Sequence, residues 1–154
     1  MSNQQPYPTV TFVMPIQDRE DFLIEQINTV FKFSKQYQGF CELIIVADGS
    51  SGAVDATLKI AWLAIKLNKI SHPHVRIRFI RYTSELSLND LIETSVNHAF
   101  GQKIMVATKD AEKVEKAKIN DMMNREVLIT QYLLNPTTIQ ENLNGNSKAD
   151  IKFT

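Results

Sequence analysis

At 154 residues, with 44% hydrophobic and 22% charged side chains, the chain has the size and apolar content of one folded domain, not of a disordered or fibrous segment. Seventeen basic residues balance 17 acidic ones, which excludes the basic footprint of general nucleic-acid binding and favours self-association. The single cysteine, Cys41, excludes an internal disulfide and fits a reducing compartment, and no apolar run approaches the ~20 residues of a membrane-spanning helix.

Residues 1–8 have no basic region and no apolar core, so they read as a flexible lead-in, not as a signal peptide, and the cytoplasm is the expected compartment. Residues 9–15, β-branched and apolar and closed by Pro15, predict a first strand. Asp18 and Asp21 then offer an N-cap and an acidic first turn to a helix carrying Leu23, Ile27, Val30 and Phe31, which Gly39 stops. The continuous apolar run 43–47 predicts a strand buried on both faces, followed by a turn at Asp48-Gly49-Ser50-Ser51-Gly52. Cys41, just before that run, reads as a small core residue. Val54, Leu58, Ala61 and Ile65 mark the buried face of a second helix, and Trp62 is expected in the core. His72-Pro73-His74 breaks the chain, and two imidazoles without a third ligand read as an exposed loop.

Residues 75–80 alternate as a third strand, with Arg76, Arg78 and the following Arg81 on a solvent face. Ser87 and Asp90 resemble a capping box for a helix carrying Leu88, Leu91, Ile92, Val96 and Ala99, with Gly101 as its C-cap. Residues 104–107 predict a fourth strand. Ile119, Met122, Met123, Val127 and Leu128 suggest a C-terminal helix running to about Leu134, ended by Asn135-Pro136. The polar stretch 135–154 is expected to be loose. The order β-α-β-α-β-α-β plus a C-terminal helix predicts an α/β fold: one Rossmann-like domain over 9–134 around a parallel sheet.

In such sheets ligands lie beyond the carboxyl ends of the strands. Those ends carry Gln17-Asp18, Asp48-Gly49-Ser50, Thr83-Ser84-Glu85 and Thr108-Lys109-Asp110, each with polar or acidic groups. Neither GxGxxG nor GxxxxGK[ST] occurs, which disfavours dinucleotide cofactors and P-loop chemistry.

Four segments at matching spacing carry a resemblance. They are Val13-Met14-Pro15-Ile16-Gln17-Asp18-Arg19, Ile44-Ile45-Val46-Ala47-Asp48-Gly49-Ser50 with Thr57 beyond it, Ala99-Phe100-Gly101-Gln102-Lys103-Ile104, and Thr108-Lys109-Asp110. Over residues 9–110 the chain resembles the inverting family-2 glycosyltransferases of GT-A fold, a group that includes dolichyl-phosphate mannose synthases and many polysaccharide synthases. The resemblance implies a GT-A nucleotide-binding half that takes a UDP- or GDP-sugar. Asp48 would contact the nucleoside, and Pro15, Gln17, Asp18 and Ser50 would line its pocket. Asp48 could instead only shape its turn, and Asp18 could be a plain N-cap.

Asp110 matches the last carboxylate of the family's Asp-x-Asp motif, which binds Mg²⁺ or Mn²⁺. Here Thr108 replaces the first carboxylate, Lys109 adds a positive charge and Ala47 replaces the acid before Asp48, so weak or absent metal dependence is expected. Lys109 could meet the diphosphate in the metal's place. The family's Gln-x-x-Arg-Trp motif is absent, and Asp121 and Glu126 read as a solvated helix face, so no general base stands out. Two functions follow as expectations. One is a glycosyltransferase-like protein completed on its acceptor side by a partner chain or second subunit. The other is an inactive GT-A-like module that oligomerises through the helix at 119–134.

Overall fold

The computed structural model describes residues 9–18, 20–49, 52–71, 74–116, 119, 125–131 and 135–144. Strands β1 (Val10–Ile16), β2 (Cys41–Ala47), β3 (Arg76–Arg81), β4 (Lys103–Ala107) and β5 (Glu126–Thr130) form one parallel sheet in the order β3-β2-β1-β4-β5. Between them run α1 (Leu23–Gln36), α2 (Gly52–Lys69) and α3 (Leu88–His98), and α4 (Pro136–Leu143) follows β5. This is a Rossmann-like α/β fold. The uninterrupted burial of β1 and β2 follows from helices covering both faces. One core packs α1, α2 and α4 on the sheet through Phe12, Phe31, Phe33 and Ile45, and the other packs α3 through Ile44, Leu91, Ile92 and Ile104. Burial pushes the Cys41 thiol up to about 12, so it is an inert core group.

The C-terminal part departs from the sequence expectation. Residues 126–130, expected within a helix, form β5 against β4, with Val127 and Ile129 buried. The run Val-Leu-Ile-Thr has strong strand preference, and an open sheet edge beside β4 overrides a short helical periodicity. Residues 120–124 and 132–134 of the expected helix, with Asp121, lie outside the described residues. Asn135-Pro136 begins a helix instead of ending one. The Asn135 side chain accepts from Thr138 N at 2.9 Å, and Pro136 occupies the first turn. Ile139 and Leu143 of α4 are buried and Lys103 Nζ donates to the Leu143 carbonyl, so residues 136–143 are not loose.

Smaller departures have local causes. Phe22, not Asp18, is the N-cap of α1, and no side chain caps it. Trp62 is 51% exposed, edge-on to Phe79 at 5.5 Å, because it lies on the outer side of α2. Ser87 caps α3 as expected, accepting from Asp90 N at 3.1 Å. The helix ends at Ala99, however, and Gly101 serves close packing: a Cβ there would stand 2.6 Å from Thr11 N. Arg78 turns back from solvent to Glu42.

Candidate functional site

The strand order reverses between β2-β1 and β4-β5, so β1 and β4 flank the crevice where open α/β sheets take ligands. Pro15 opens it. The Ile16 carbonyl accepts from Asp48 N at 3.3 Å, so Ile16 faces β2 and its neighbour Pro15 faces β4. A proline has no N–H for that ladder, and pairing of β1 with β4 stops at Val13–Val106. The strands part there, above a cleft of about 290 Å³ lined by Pro15, Gln17, Asp18, Glu20, Asp48, Glu85, Leu88, Thr108, Lys109 and Asp110. A neighbouring cavity of about 190 Å³ shares Pro15, Glu20, Thr108 and Lys109 and reaches Phe22 and Gln26 at the start of α1.

Six of the sequence candidates, Pro15, Gln17, Asp18, Asp48, Lys109 and Asp110, thus stand around one space. Ser50 lies outside the described residues. Gln17 Nε2 donates to the Leu86 carbonyl at 2.7 Å and ties the wall formed by the loop before α3. Asp48 is 6% exposed. The loop it opens is clamped onto the end of β3: Gly49 N donates to the Ser84 carbonyl at 3.1 Å, and Arg81 Nη2 to the Gly49 carbonyl at 3.4 Å. Any Cβ on Gly49 would come within 2.4 Å of the Thr83 backbone, so the glycine of Asp-Gly-Ser is required sterically.

Glu20 is a cleft residue that the sequence reading missed. Its carboxylate lies 3.7 Å from Lys109 Nζ, with the side chain only 16% exposed. Burial pushes its acid up to about 7; Asp110 and Asp18 add to the rise and Lys109 opposes it. A carboxyl that changes charge near neutral pH at a strand end can give or take a proton. The other carboxylates offer fixed acceptors for hydroxyl or N–H donors.

The residues present do not suit a hard divalent cation. Lys113 Nζ stands 3.8 Å from the Asp110 carboxylate, Lys109 adjoins it, and Thr108 occupies the position where a second carboxylate would serve. Among the described residues no three His, Cys, Asp or Glu side chains converge as a metal site.

No protein-family model matches the chain, and no curated protein matches it in sequence. Among solved structures it is similar to the mannosyltransferase PcManGT from Pyrobaculum calidifontis, in complex with GDP-Man and Mn²⁺. The two are 19% identical over 65% of this chain and 28% of that one, with a TM-score of 0.45. It is also similar to a universal stress protein family member from Burkholderia pseudomallei, 10% identical over 76% of this chain and 93% of that one, with a TM-score of 0.46. A universal stress protein from Archaeoglobus fulgidus is 10% identical over 78% and 97% respectively, with a TM-score of 0.45.

Proposed function

We propose that the cleft binds the nucleoside end of a nucleotide-diphospho-sugar, with UDP- and GDP-sugars as the candidate ligands. The observation that carries this reading is the site's position. A nearly buried carboxylate, Asp48, stands beside the one crevice that the strand order opens. A carboxylate held there accepts from the two ribose hydroxyls or a base N–H. The four motif segments that resemble family-2 glycosyltransferases support the same ligand class. Lys109 is the cation placed to meet a phosphate, without a metal. If sugar transfer follows, Glu20 is the group suited to take the acceptor proton, and a partner chain or second subunit completes the acceptor side.

Calorimetric titration of the chain with UDP, GDP, UDP-glucose and GDP-mannose, with and without Mn²⁺, tests this. Saturable heat from nucleotides of one base, unchanged by Mn²⁺, is the expected result. No heat at millimolar ligand would overturn the nucleotide reading, and strictly Mn²⁺-dependent binding would overturn its metal-free form.

Binding without transfer is the second reading. Among the described residues Asp18, Glu20, Asp48, Glu85 and Asp110 line the cleft with one cation, Lys109, an environment poor at stabilising a departing diphosphate. Nucleotide binding with no release of UDP or GDP from the sugar conjugates would select it.

A further inference from the structure

Exposed apolar side chains on a folded domain are usually scattered. Here they are not. The four most exposed large ones among the described residues, Ile70 at 81%, Leu67 at 72%, Phe40 at 70% and Phe100 at 61%, all stand at the N-terminal end of the sheet. Phe40 precedes β2, Phe100 precedes β4, and Leu67 and Ile70 close α2 before β3. The Lys69 side chain fixes that last turn, donating to the Val75 carbonyl at 2.8 Å.

Cations stand among these tips. The Arg76 and Arg78 guanidinium carbons lie 4.5 Å and 5.3 Å from the Phe100 ring centroid; both approach the Glu42 carboxylate, at 3.9 Å and 3.5 Å, and Arg76 remains 62% exposed. Lys66 and Lys69 lie in the last turn of α2. Within the segments 36–42, 66–71, 74–78 and 97–101, one carboxylate occurs, Glu42, and it is buried beneath them. The carboxylates of the candidate cleft occupy the opposite end of the strands. Among the described residues the β2–β3 side of this end is therefore basic and apolar-tipped, while Glu126 begins β5 at the far edge and the cleft end is acidic.

We propose that the N-terminal end of the sheet docks on an anionic lipid bilayer. The tips of Phe40, Ile70, Phe100 and Leu67 enter between the headgroups, and Arg76, Lys66 and their neighbours meet lipid phosphates. The cleft then faces the aqueous phase. Apolar tips combined with an excess of cations over carboxylates are the composition that holds a peripheral protein to such a surface. A second copy fits less well, because a twofold pairing of this face would set the same cations against each other. No helix among the described residues is long and apolar enough to cross the membrane, so docking at the surface is the mode inferred.

The test is sedimentation of the full chain with phosphatidylcholine vesicles, with or without about a third phosphatidylglycerol. Pelleting with the anionic vesicles alone, reversed at roughly 0.5 M salt, is the expected result. The double variant Ile70→Ser/Phe100→Ser and the single variant Lys66→Glu should each weaken partitioning about tenfold. These positions are exposed, so circular dichroism melting should stay that of the parent. Failure of the folded chain to pellet would overturn the proposal, as would equal pelleting with both vesicles or parental binding by the variants. A dimer in analytical ultracentrifugation that the same substitutions disperse, without vesicle binding, would also overturn it and assign the face to a second copy.

Discussion

Glu42, at the N-terminal end of the sheet, is 1% exposed; Asp48, at the C-terminal end of the same strand, is 6% exposed. The two buried acids have opposite surroundings. Glu42 Oε1 accepts from Thr11 Oγ1 at 2.8 Å and from Phe100 N at 3.0 Å, and Oε2 accepts from Arg78 Nη1 at 3.5 Å. Thr11 Oγ1 in turn accepts from Gly101 N at 2.9 Å. Arg125 completes the closure, donating to the carbonyls of Val96, Ala99 and Gly101 at the end of α3. Asp48 instead borders a cleft with other carboxylates and one ammonium. The difference separates two uses of a buried charge. At one end it joins loops to the sheet. At the other it is held by its backbone and faces a space a ligand can fill.

The largest effect should come from the closed end. Glu42→Ala leaves Thr11 and Phe100 N without their acceptor and Arg78 without its counter-charge. Removing one member of a buried charged network costs about 3–5 kcal/mol. Urea denaturation should show that loss as a lower midpoint with unchanged slope. A cost below about 1 kcal/mol would mean that the network is not what fixes this end, and the comparison would fail.

That contrast was only partly legible in the sequence. Strands β1 and β2 and the cap at Ser87 were readable because continuous apolar runs and a Ser-x-x-Asp pattern act locally. The strand ends, and with them Asp48 and Lys109, followed once a parallel sheet was inferred. Strand β5 was not readable: Val127 and Leu128 continue a helical spacing from Ile119, and only the open edge of β4 makes them a strand. Glu42, just before the apolar run 43–47, drew no reading, since its partners lie 31, 36 and 58 positions away. Glu20 was missed for the same reason, because the burial and the Lys109 contact that change its acid belong to the fold and not to its neighbours in the chain.

The middle effect depends on pH. The acid of Glu20 is raised from 4.5 to about 7, so the folded protein holds this proton more tightly than the unfolded chain. Its contribution is fully present below about pH 4.5 and is lost as pH rises through about 7. The whole shift corresponds to about 3 kcal/mol, and with Lys109 41% exposed, solvent screening reduces the measurable part to about 1–2 kcal/mol. Glu20→Gln resembles the protonated acid at every pH. Its melting temperature should match the parent near pH 4 and exceed it by a few degrees at pH 8. A difference that stays constant across that range would show that Glu20 is solvated, and the cleft would lose its candidate proton acceptor.

The smallest effect on stability, and the most informative for function, is that of Asp48→Asn. Asparagine keeps the size of the side chain and removes the charge. The loop is held by Gly49 N on the Ser84 carbonyl, by Arg81 on the Gly49 carbonyl and by Tyr82 N on the Ala47 carbonyl, none of which uses the Asp48 carboxylate. The substitution should therefore cost less than about 1 kcal/mol in urea denaturation. Under the nucleotide reading it should weaken binding by about tenfold or more in the same calorimetric titration, because an amide cannot accept from two hydroxyls with the strength of a carboxylate. The opposite pattern, unchanged binding with a stability loss above about 2 kcal/mol, would make Asp48 a turn-shaping residue. Asp48 would then be of the same kind as Glu42, and the two ends of the sheet would differ in exposure alone.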